Sequence, residues 1–226
     1  MKRRPDKNGN GRREAGSDRN AYLKAHRCPR GELGRTVARR MNRHHAPLRA
    51  WGLARFAPPP GALVLDIGCG GGATARDILR RPENYSVIGI DLSEDMARYS
   101  RRRNPGRGRA AFVAAAADGL PFPSGAFAAV TAFETTYFWA DLVEAAAEIG
   151  RVLAPGGTLL IVNELYLHPK FSAGDRELTE LIGMEVCTPE RYRSLLEKAG
   201  LTVLGTFFAD SAPWIALVAG RGGDAA

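Results

Sequence analysis

The chain has 226 residues and a net charge of +8; 45% of the residues are hydrophobic, which allows one domain with a sizeable core. It has no apolar run long enough to span a bilayer and no apolar segment after its basic start, so we expect a cytoplasmic protein, neither inserted nor secreted. Its three cysteines are scattered without metal-ligand spacing, which argues against a disulfide framework and a zinc site, so no metal is expected.

Most of the charge excess lies at the N-terminus. Residues 1–45 hold 14 Lys or Arg against 4 Asp or Glu, whereas the rest of the chain holds 18 against 20. Residues 1–30 have almost no apolar side chains to bury, so we predict a disordered basic extension. It is either an arm that binds RNA, a membrane or an acidic partner, or a solvated extension without a role. The second interpretation is favoured because basic tails bind polyanions non-specifically, so no nucleic-acid or membrane partner is expected.

A helical lid is predicted next, over residues 31–58. Apolar residues recur at intervals of three to four between Val37 and Phe56, and arginines lie between them. Pro47 divides the segment into two helices, because proline is tolerated only in the first turn of a helix.

Strands and helices then alternate through a core predicted over residues 61–220. Helices are predicted over residues 72–80, 93–103, 142–153 and 189–199. Strands are predicted over residues 62–67, 86–91, 111–115, 128–133, 158–163, 202–209 and 214–219. The alternation is typical of an α/β fold, a doubly wound, Rossmann-like sheet of seven strands that is mostly parallel with an antiparallel C-terminal edge hairpin. Residues 31–226 are therefore predicted to form a single domain.

A glycine-rich turn follows the first strand and is typical of a nucleotide-cofactor loop. Asp66 lies at the strand end, and Gly68, Cys69 and Gly70 follow it. Glycines let the backbone adopt positive φ and approach a ligand closely. Because ligands bind at the carboxyl ends of strands in such sheets, Asp66 is placed to face one. The same residues also fit the dinucleotide pattern G-x-G-x-x-A, so this loop alone leaves the cofactor open.

Asp91 ends the second strand and lies 21 residues after Gly70. An acidic residue at about this distance from a glycine turn accepts hydrogen bonds from ribose hydroxyls. The alternative is an aspartate that merely caps the next helix, but its combination with the glycine loop favours the ribose role.

Five motifs together resemble the class I S-adenosylmethionine-dependent methyltransferases, in the family's order and approximate spacing. The resemblance covers about residues 61–220 and is closest to the small-molecule branch that includes ubiquinone and menaquinone C-methyltransferases. One departure is Ala128, which stands where the family commonly has an aspartate. The motifs are Asp66-Ile67-Gly68-Cys69-Gly70, Ile90-Asp91-Leu92-Ser93, Asp118-Gly119-Leu120-Pro121-Phe122, Phe127-Ala128-Ala129-Val130 and Arg151-Val152-Leu153-Ala154-Pro155-Gly156-Gly157.

The resemblance implies S-adenosylmethionine as the cofactor and assigns its contacts. By this resemblance Asp66 and the backbone from Gly68 to Gly70 hold the methionine moiety, and Asp91 binds the ribose. The remaining implied contacts lie around the adenine or on the fourth strand: Leu92, Met96, Asp118, Gly119 and Phe133.

Candidate acceptor-facing residues follow the fourth and fifth strands. Glu134 and Glu164 are candidates to orient a substrate, and Tyr137 or His44 is a candidate to assist deprotonation. Two simpler interpretations stay open, namely that Tyr137 only covers the sheet and that His44 is an ordinary helix residue.

The resulting hypothesis is methyl transfer to O, N or C of a small-molecule acceptor by in-line displacement, carried out by a monomer or homodimer. Alternatives are an RNA methyltransferase that uses the basic arm, a non-catalytic cofactor-binding partner protein, and an NAD(P)-dependent oxidoreductase.

Overall fold

A seven-stranded sheet forms the centre of the computed structural model, which describes residues 25–105 and 108–223. The strands are β1 Leu63–Ile67, β2 Ser86–Asp91, β3 Ala110–Ala114, β4 Phe127–Phe133, β5 Leu153–Asn163, β6 Leu201–Phe208 and β7 Ile215–Arg221. The helices are α1 Gly31–His44, α2 Ala46–Leu53, α3 Ala73–Leu79, α4 Glu94–Arg103, α5 Leu142–Val152, α6 Ala173–Ile182 and α7 Pro189–Lys198.

The strand order is β3-β2-β1-β4-β5-β7-β6. The first five strands in this order pair in parallel, while β7 pairs antiparallel with both β5 and β6. The predicted fold class, a doubly wound sheet with an antiparallel C-terminal edge, is confirmed. The order reverses between β1 and β4, and this switch point is where open α/β sheets bind ligands.

The central strands β1 and β4 are buried on both faces, which explains why they are almost continuously apolar, whereas the edge strands β3 and β6 are more exposed. In β1, Leu65 and Ile67 pack into a core with α5 and α7, whereas Val64 packs on the opposite face with α2 and α3. The alternation of side chains along each strand therefore divides the core into two layers.

Local signals end and begin the helices as the sequence predicts. Pro47 is the second residue of α2, and His45 is the residue that separates α1 from α2. Ser93 caps α4 by accepting a hydrogen bond from the Met96 amide at 3.4 Å. Two elements were not predicted: α6, and a 3₁₀ turn over Thr136–Phe138. Helix α6 starts with a capping box between Ser172 and Asp175 that the sequence analysis overlooked.

The predicted N-terminal extension is described only from residue 25 onward, and residues 1–24 lie outside the described ranges. Residues 25–30 were predicted to be disordered, but they form a turn against α4. The Ser93 hydroxyl donates to the Pro29 carbonyl, and the Gly31 amide donates to Asp95 Oδ2 at 2.7 Å. These contacts explain the order of a segment that has few apolar residues.

None of the helices in the described ranges combines the length and the apolar character needed to cross a membrane.

The lid lies directly on the sheet through Gly52 of α2. A Cβ built on Gly52 would lie 2.6 Å from Val162 Cγ2 and 2.9 Å from Phe133 Cε1, so a side chain here would push α2 off the sheet. We expect Gly52→Ala to lower the free energy of unfolding by about 1–3 kcal/mol despite the better helix propensity of alanine. Chemical denaturation measures the change.

The matched control is Gly174→Ala in the first turn of α6, where the nearest atom to a new Cβ is the Ser172 hydroxyl oxygen at 3.7 Å. This variant should gain up to about 1 kcal/mol, since only backbone entropy and propensity change. Equal effects of the two substitutions would contradict the close approach of α2 to the sheet.

Candidate functional site

The glycine loop between β1 and α3 has the left-handed backbone that its sequence predicts. Gly68, Gly70 and Gly72 have φ values of 68°, 49° and 69°. A Cβ on Gly68 would collide with the side chain of Thr135, whereas a Cβ on Gly70 would meet nothing closer than the Gly68 carbonyl oxygen at 3.9 Å. The backbone at Gly70 therefore faces open space, and a ligand is able to approach it closely.

Asp91 fixes this loop to the second strand. Its Oδ2 accepts a hydrogen bond from the Gly70 amide at 2.8 Å, and its Oδ1 accepts one from the Ser93 amide at 2.8 Å. Burial raises the pKa of Asp91, and these two hydrogen bonds act in the opposite direction. Each oxygen keeps a second lone pair, so the carboxylate has free acceptor capacity for two hydroxyl groups.

Asp66 lies behind the same loop and is 1% exposed. The Thr131 hydroxyl donates to Oδ1 at 2.9 Å, while Oδ2 has no hydrogen-bond partner of normal geometry among the described residues. Burial raises the pKa of Asp66 to about 7, although Thr131, the charge of Arg49 and the Ala75 amide all act to lower it. A buried carboxyl oxygen without a partner is costly unless a donor or cation reaches it.

One cavity joins the glycine loop to the ends of β2, β4 and the lid. The residues predicted to bind the cofactor that line it are Gly68, Cys69, Gly70, Asp91, Leu92, Asp118 and Phe133. The other walls are mainly apolar and aromatic and include Met41, Leu48, Ile67, Phe138 and Trp139. The loop thus shares a single space with a surface that suits an apolar ligand.

Two residues with a predicted adenine contact lie elsewhere. Met96 is fully buried and packs with Ala38 and Tyr99, so it belongs to the core between α1 and α4. Gly119 follows the cavity-lining Asp118 but is not itself among the lining residues. A methionine on a helix face is commonly a packing residue, and this one behaves so.

Glu134 also lines the cavity, and it follows β4 in a left-handed conformation with φ of 56°. Its Oε1 accepts hydrogen bonds from the Tyr137 hydroxyl and from the Glu164 amide. Its Oε2 lies 3.7 Å from Nε2 of His45. Burial raises the pKa of Glu134 to about 7, against the attraction of His45. A positive φ at a non-glycine residue is held in place by such surrounding contacts and is common at functional sites.

Of the residues predicted to face the acceptor, only Glu134 lines the cavity, whereas Tyr137, His44 and Glu164 do not. Tyr137 is buried, and its hydroxyl donates towards Glu134 and the Leu165 carbonyl and accepts from the Leu165 amide at 2.9 Å. Burial raises the pKa of Tyr137 well above its usual range, so this hydroxyl positions Glu134 and is unsuited to proton transfer. His44 has a side chain that is 69% exposed and does not line the cavity. Its Nε2 lies 3.5 Å from Glu164 Oε2.

Two charged residues of the lid line the cavity, and the sequence analysis missed both. His45, at the junction of α1 and α2, places Nε2 3.5 Å from Glu164 Oε2. Arg49 is 6% exposed, and its guanidinium donates to Asp77 Oδ2 at 3.2 Å and to the Asn42 carbonyl at 2.8 Å. For His45 the available signal was Pro47, because a proline in the first turn of a helix predicts a junction shortly before it, and a side chain at that junction leaves the regular helix face.

Comparisons with known proteins agree with this geometry. Residues 64–157 match a family described as a methyltransferase domain. The chain is 39% identical over 100 residues to a demethylmenaquinone methyltransferase of Thermus thermophilus, covering 44% of this chain and 46% of the relative. It is 34% identical over 131 residues to the nocamycin O-methyltransferase of Saccharothrix syringae, covering 57% of this chain and 43% of the relative. The chain thus spans less than half the length of these relatives.

The fold has close counterparts among solved structures. The methyltransferase in complex with the Haloferax volcanii Trm112 methyltransferase activator superposes with a TM-score of 0.76 at 22% identity, covering 84% of this chain and 94% of that one. A S-adenosylmethionine-dependent methyltransferase from Aquifex aeolicus superposes with a TM-score of 0.68 at 18% identity, covering 82% and 97%. At these identities the superpositions establish the shared fold.

The raised pKa of Asp66 predicts a pH-dependent stability. In the unfolded chain this carboxyl ionises near its ordinary value of 3.8, whereas in the folded chain it ionises at about 7. Between these values the folded state binds more protons, so its contribution to stability is lost as pH rises towards about 7 and stays lost above it.

Asp66→Asn keeps an acceptor for Thr131 and removes the ionisation. We expect its melting temperature, relative to wild type, to rise by about 4 °C or more between about pH 5 and about pH 8. Scanning calorimetry of the ligand-free proteins at both pH values measures this. An equal difference at the two pH values would show that ionisation of Asp66 does not affect stability.

Proposed function

We propose that this protein transfers a methyl group from S-adenosylmethionine to a small, apolar, ring-bearing acceptor, because residues 64–157 match a family described as a methyltransferase domain. One observation carries the proposal: the glycine loop and Asp91 line the same cavity as an aromatic wall formed by Phe133, Phe138 and Trp139. A cofactor end and an acceptor end thus share one enclosed space, as direct transfer between two bound molecules requires.

The residues present fit S-adenosylmethionine. The bare backbone at Gly70 leaves room for the cofactor, and Asp91 has free lone pairs for the two ribose hydroxyls. Asp66 does not itself line the cavity but directly precedes Ile67, which does, and its unpartnered Oδ2 is suited to the ammonium group at the methionine end. Arg49, a buried cation in the lid wall, is suited to the carboxylate at that end. Asp118 and Leu92 form the wall next to Asp91, where the adenine would lie.

When bound, the sulfonium supplies an activated methyl group: the acceptor atom bonds to the methyl carbon as the carbon–sulfur bond breaks, and the electron pair stays on sulfur. The protein aligns the acceptor with that carbon and excludes water. Leu48, Phe138 and Trp139 serve both purposes, because they enclose the cavity with apolar surface. The lid helices contribute Leu48, so closure of the lid over the sheet completes the chamber.

The acceptor class rests on the walls and on the relatives. Residues of the lid, among them Met41 and Leu48, form part of the cavity wall, and this apolar wall favours a small molecule over a folded nucleic acid. The two relatives described above are a demethylmenaquinone methyltransferase and an O-methyltransferase, and both names refer to small molecules.

A competing function is methylation of RNA through the basic N-terminal arm. It requires strongly salt-dependent RNA binding that disappears when residues 1–24 are removed, since basic arms bind phosphates by counterion release. A non-catalytic cofactor-binding role predicts cofactor binding without methyl transfer to any acceptor.

Isothermal titration calorimetry with S-adenosylmethionine, S-adenosylhomocysteine and NADH tests the cofactor. We expect binding of both adenosyl ligands and not of NADH. Asp91→Ala should weaken S-adenosylhomocysteine binding by about 1.5–3 kcal/mol, which is about 10- to 150-fold in Kd, because it removes a charged acceptor for the ribose. Glu94→Gln, an exposed change in the first turn of α4, is the matched control and should bind like wild type. Tight NADH binding, or an unaffected Asp91→Ala protein, would overturn the assignment.

Gly70→Val tests the placement of the loop. Its side chain would project into the cavity, so we expect S-adenosylhomocysteine affinity to fall by more than about 100-fold. Gly156→Val is the matched control, because Gly156 also has a positive φ of 76° and room for a side chain but does not line the cavity. Both variants carry backbone strain, so both should melt earlier than wild type, but only Gly70→Val should lose the ligand. Wild-type affinity in Gly70→Val would place the ligand elsewhere.

A further inference from the structure

His45 lines the cavity from the junction of the two lid helices. It is the residue between α1 and α2, with φ of −83° and ψ of 9°, so its side chain leaves the face on which a continuous helix would carry it. Its side chain is 14% exposed and lines the cavity together with Glu134. The imidazole is therefore largely sheltered from solvent but open to a ligand.

Two carboxylates meet this imidazole at a single nitrogen. Nε2 of His45 lies 3.5 Å from Glu164 Oε2 and 3.7 Å from Glu134 Oε2. In the neutral ring this arrangement places the hydrogen on Nε2, directed at the carboxylates, and leaves the lone pair on Nδ1. A histidine held in this way by a carboxylate is the usual arrangement of a general base, since the carboxylate orients the ring and stabilises its protonated form.

We infer that His45 is the proton acceptor of the reaction, held by Glu164 and Glu134, and that the acceptor substrate carries the reactive group as an acidic hydroxyl on a ring. This inference rests on the proposed methyl transfer and names its substrate class. A phenol or enol is a poor nucleophile until the proton of its hydroxyl group leaves, whereas a neutral amine attacks with its own lone pair before it loses a proton.

Every proton and electron pair of the proposed methyl transfer has a destination. The oxygen–hydrogen bond of the acceptor breaks, the proton moves to Nδ1 of His45, and the oxygen uses its electron pair to bond the methyl carbon. The imidazolium that forms lies between two carboxylates, so its charge is compensated where it appears. It returns its proton to solvent when the products leave.

Charged and titratable groups from α1, from α2 and from the segments after β4 and β5 surround His45. Glu134 follows β4 and Glu164 follows β5, and both attract a proton to the ring. Arg49 of α2 acts in the opposite sense, and His44 of α1 lies beside it with ring centroids 5.1 Å apart. Burial acts to lower the pKa of His45, but the two carboxylates together raise it. The ring is thus a stronger base than a free histidine.

Binding of 4-nitrophenol tests the inference without knowledge of the natural acceptor, because its phenolate absorbs visible light and its phenol form does not. The probe is titrated into full-length protein saturated with S-adenosylhomocysteine, at a pH where the free probe is mostly protonated. We expect wild type to raise the phenolate fraction of the bound probe several-fold above that in solution. His45→Gln should return it to the solution value or below, and Glu164→Gln should give an intermediate fraction.

Two further variants make the result specific to His45. His168→Gln, which alters a histidine stacked on Tyr166 outside the cavity, should match wild type. His44→Gln separates the two neighbouring histidines, and loss of phenolate in this variant alone would overturn the assignment to His45. An unchanged phenolate fraction in His45→Gln, or no uptake of the probe by wild type, would overturn it as well.

Calorimetry with S-adenosylhomocysteine, run on the same samples, separates this inference from the proposed function. If wild type does not bind S-adenosylhomocysteine, the methyltransferase proposal itself is rejected. If it binds S-adenosylhomocysteine without phenolate formation, only the role of His45 and its hydroxyl-bearing substrate is rejected.

Discussion

The paired hydrogen bonds of Asp91 hold the cofactor end of the site together. One carboxylate accepts the Gly70 amide from the loop after β1 and the Ser93 amide from the start of α4. Ser93 in turn caps α4, and its hydroxyl reaches the Pro29 carbonyl ahead of the lid. The loop, the second strand, the helix and the N-terminal turn are therefore connected through one strand end. The bond to the Gly70 amide joins residues 21 apart and the bond to the Pro29 carbonyl joins residues 64 apart, so these two hydrogen bonds hold segments together that are distant in sequence.

Several carboxyl groups are buried at or near this cavity. Burying their negative charges is unfavourable, and a bound cation would offset this desolvation cost. Burial raises the pKa of Asp66 and of Glu134 to about 7, and it raises that of Asp91 as well. The charge of Arg49 lowers the pKa of Asp66, and His45 lowers that of Glu134. S-adenosylmethionine brings a sulfonium and an ammonium, so its binding would favour the ionised carboxylates. A cavity with this charge balance is better suited to a cationic cofactor than to a nicotinamide dinucleotide, which carries two phosphates.

The sequence predicted the fold and the backbone of the glycine turn well because both depend on local rules. The apolar strands, the helix break at Pro47 and the glycine turn are each encoded within a few residues. Asp91 follows from a fixed spacing. The other part of the cavity depends on which lid residues pack against the sheet. The spacing of residues in the sequence does not reveal this. His45 and Arg49 were missed for this reason, while Tyr137 was assigned to the substrate although its hydroxyl is used by neighbouring backbone.

The position of His45 is set by packing that lies several residues away from it. Gly52 lets α2 approach β4 and β5 closely, and Leu48 and Leu53 of the same helix are buried in the core with them. Helix α2 is therefore held against the sheet, and the residue at its start is brought to the ends of those two strands. Glu134 immediately follows the last residue of β4, and Glu164 immediately follows the last residue of β5. The absence of a side chain at Gly52 thus determines how near the imidazole lies to the two carboxylates, which links the stability of the lid to the geometry of the acceptor site.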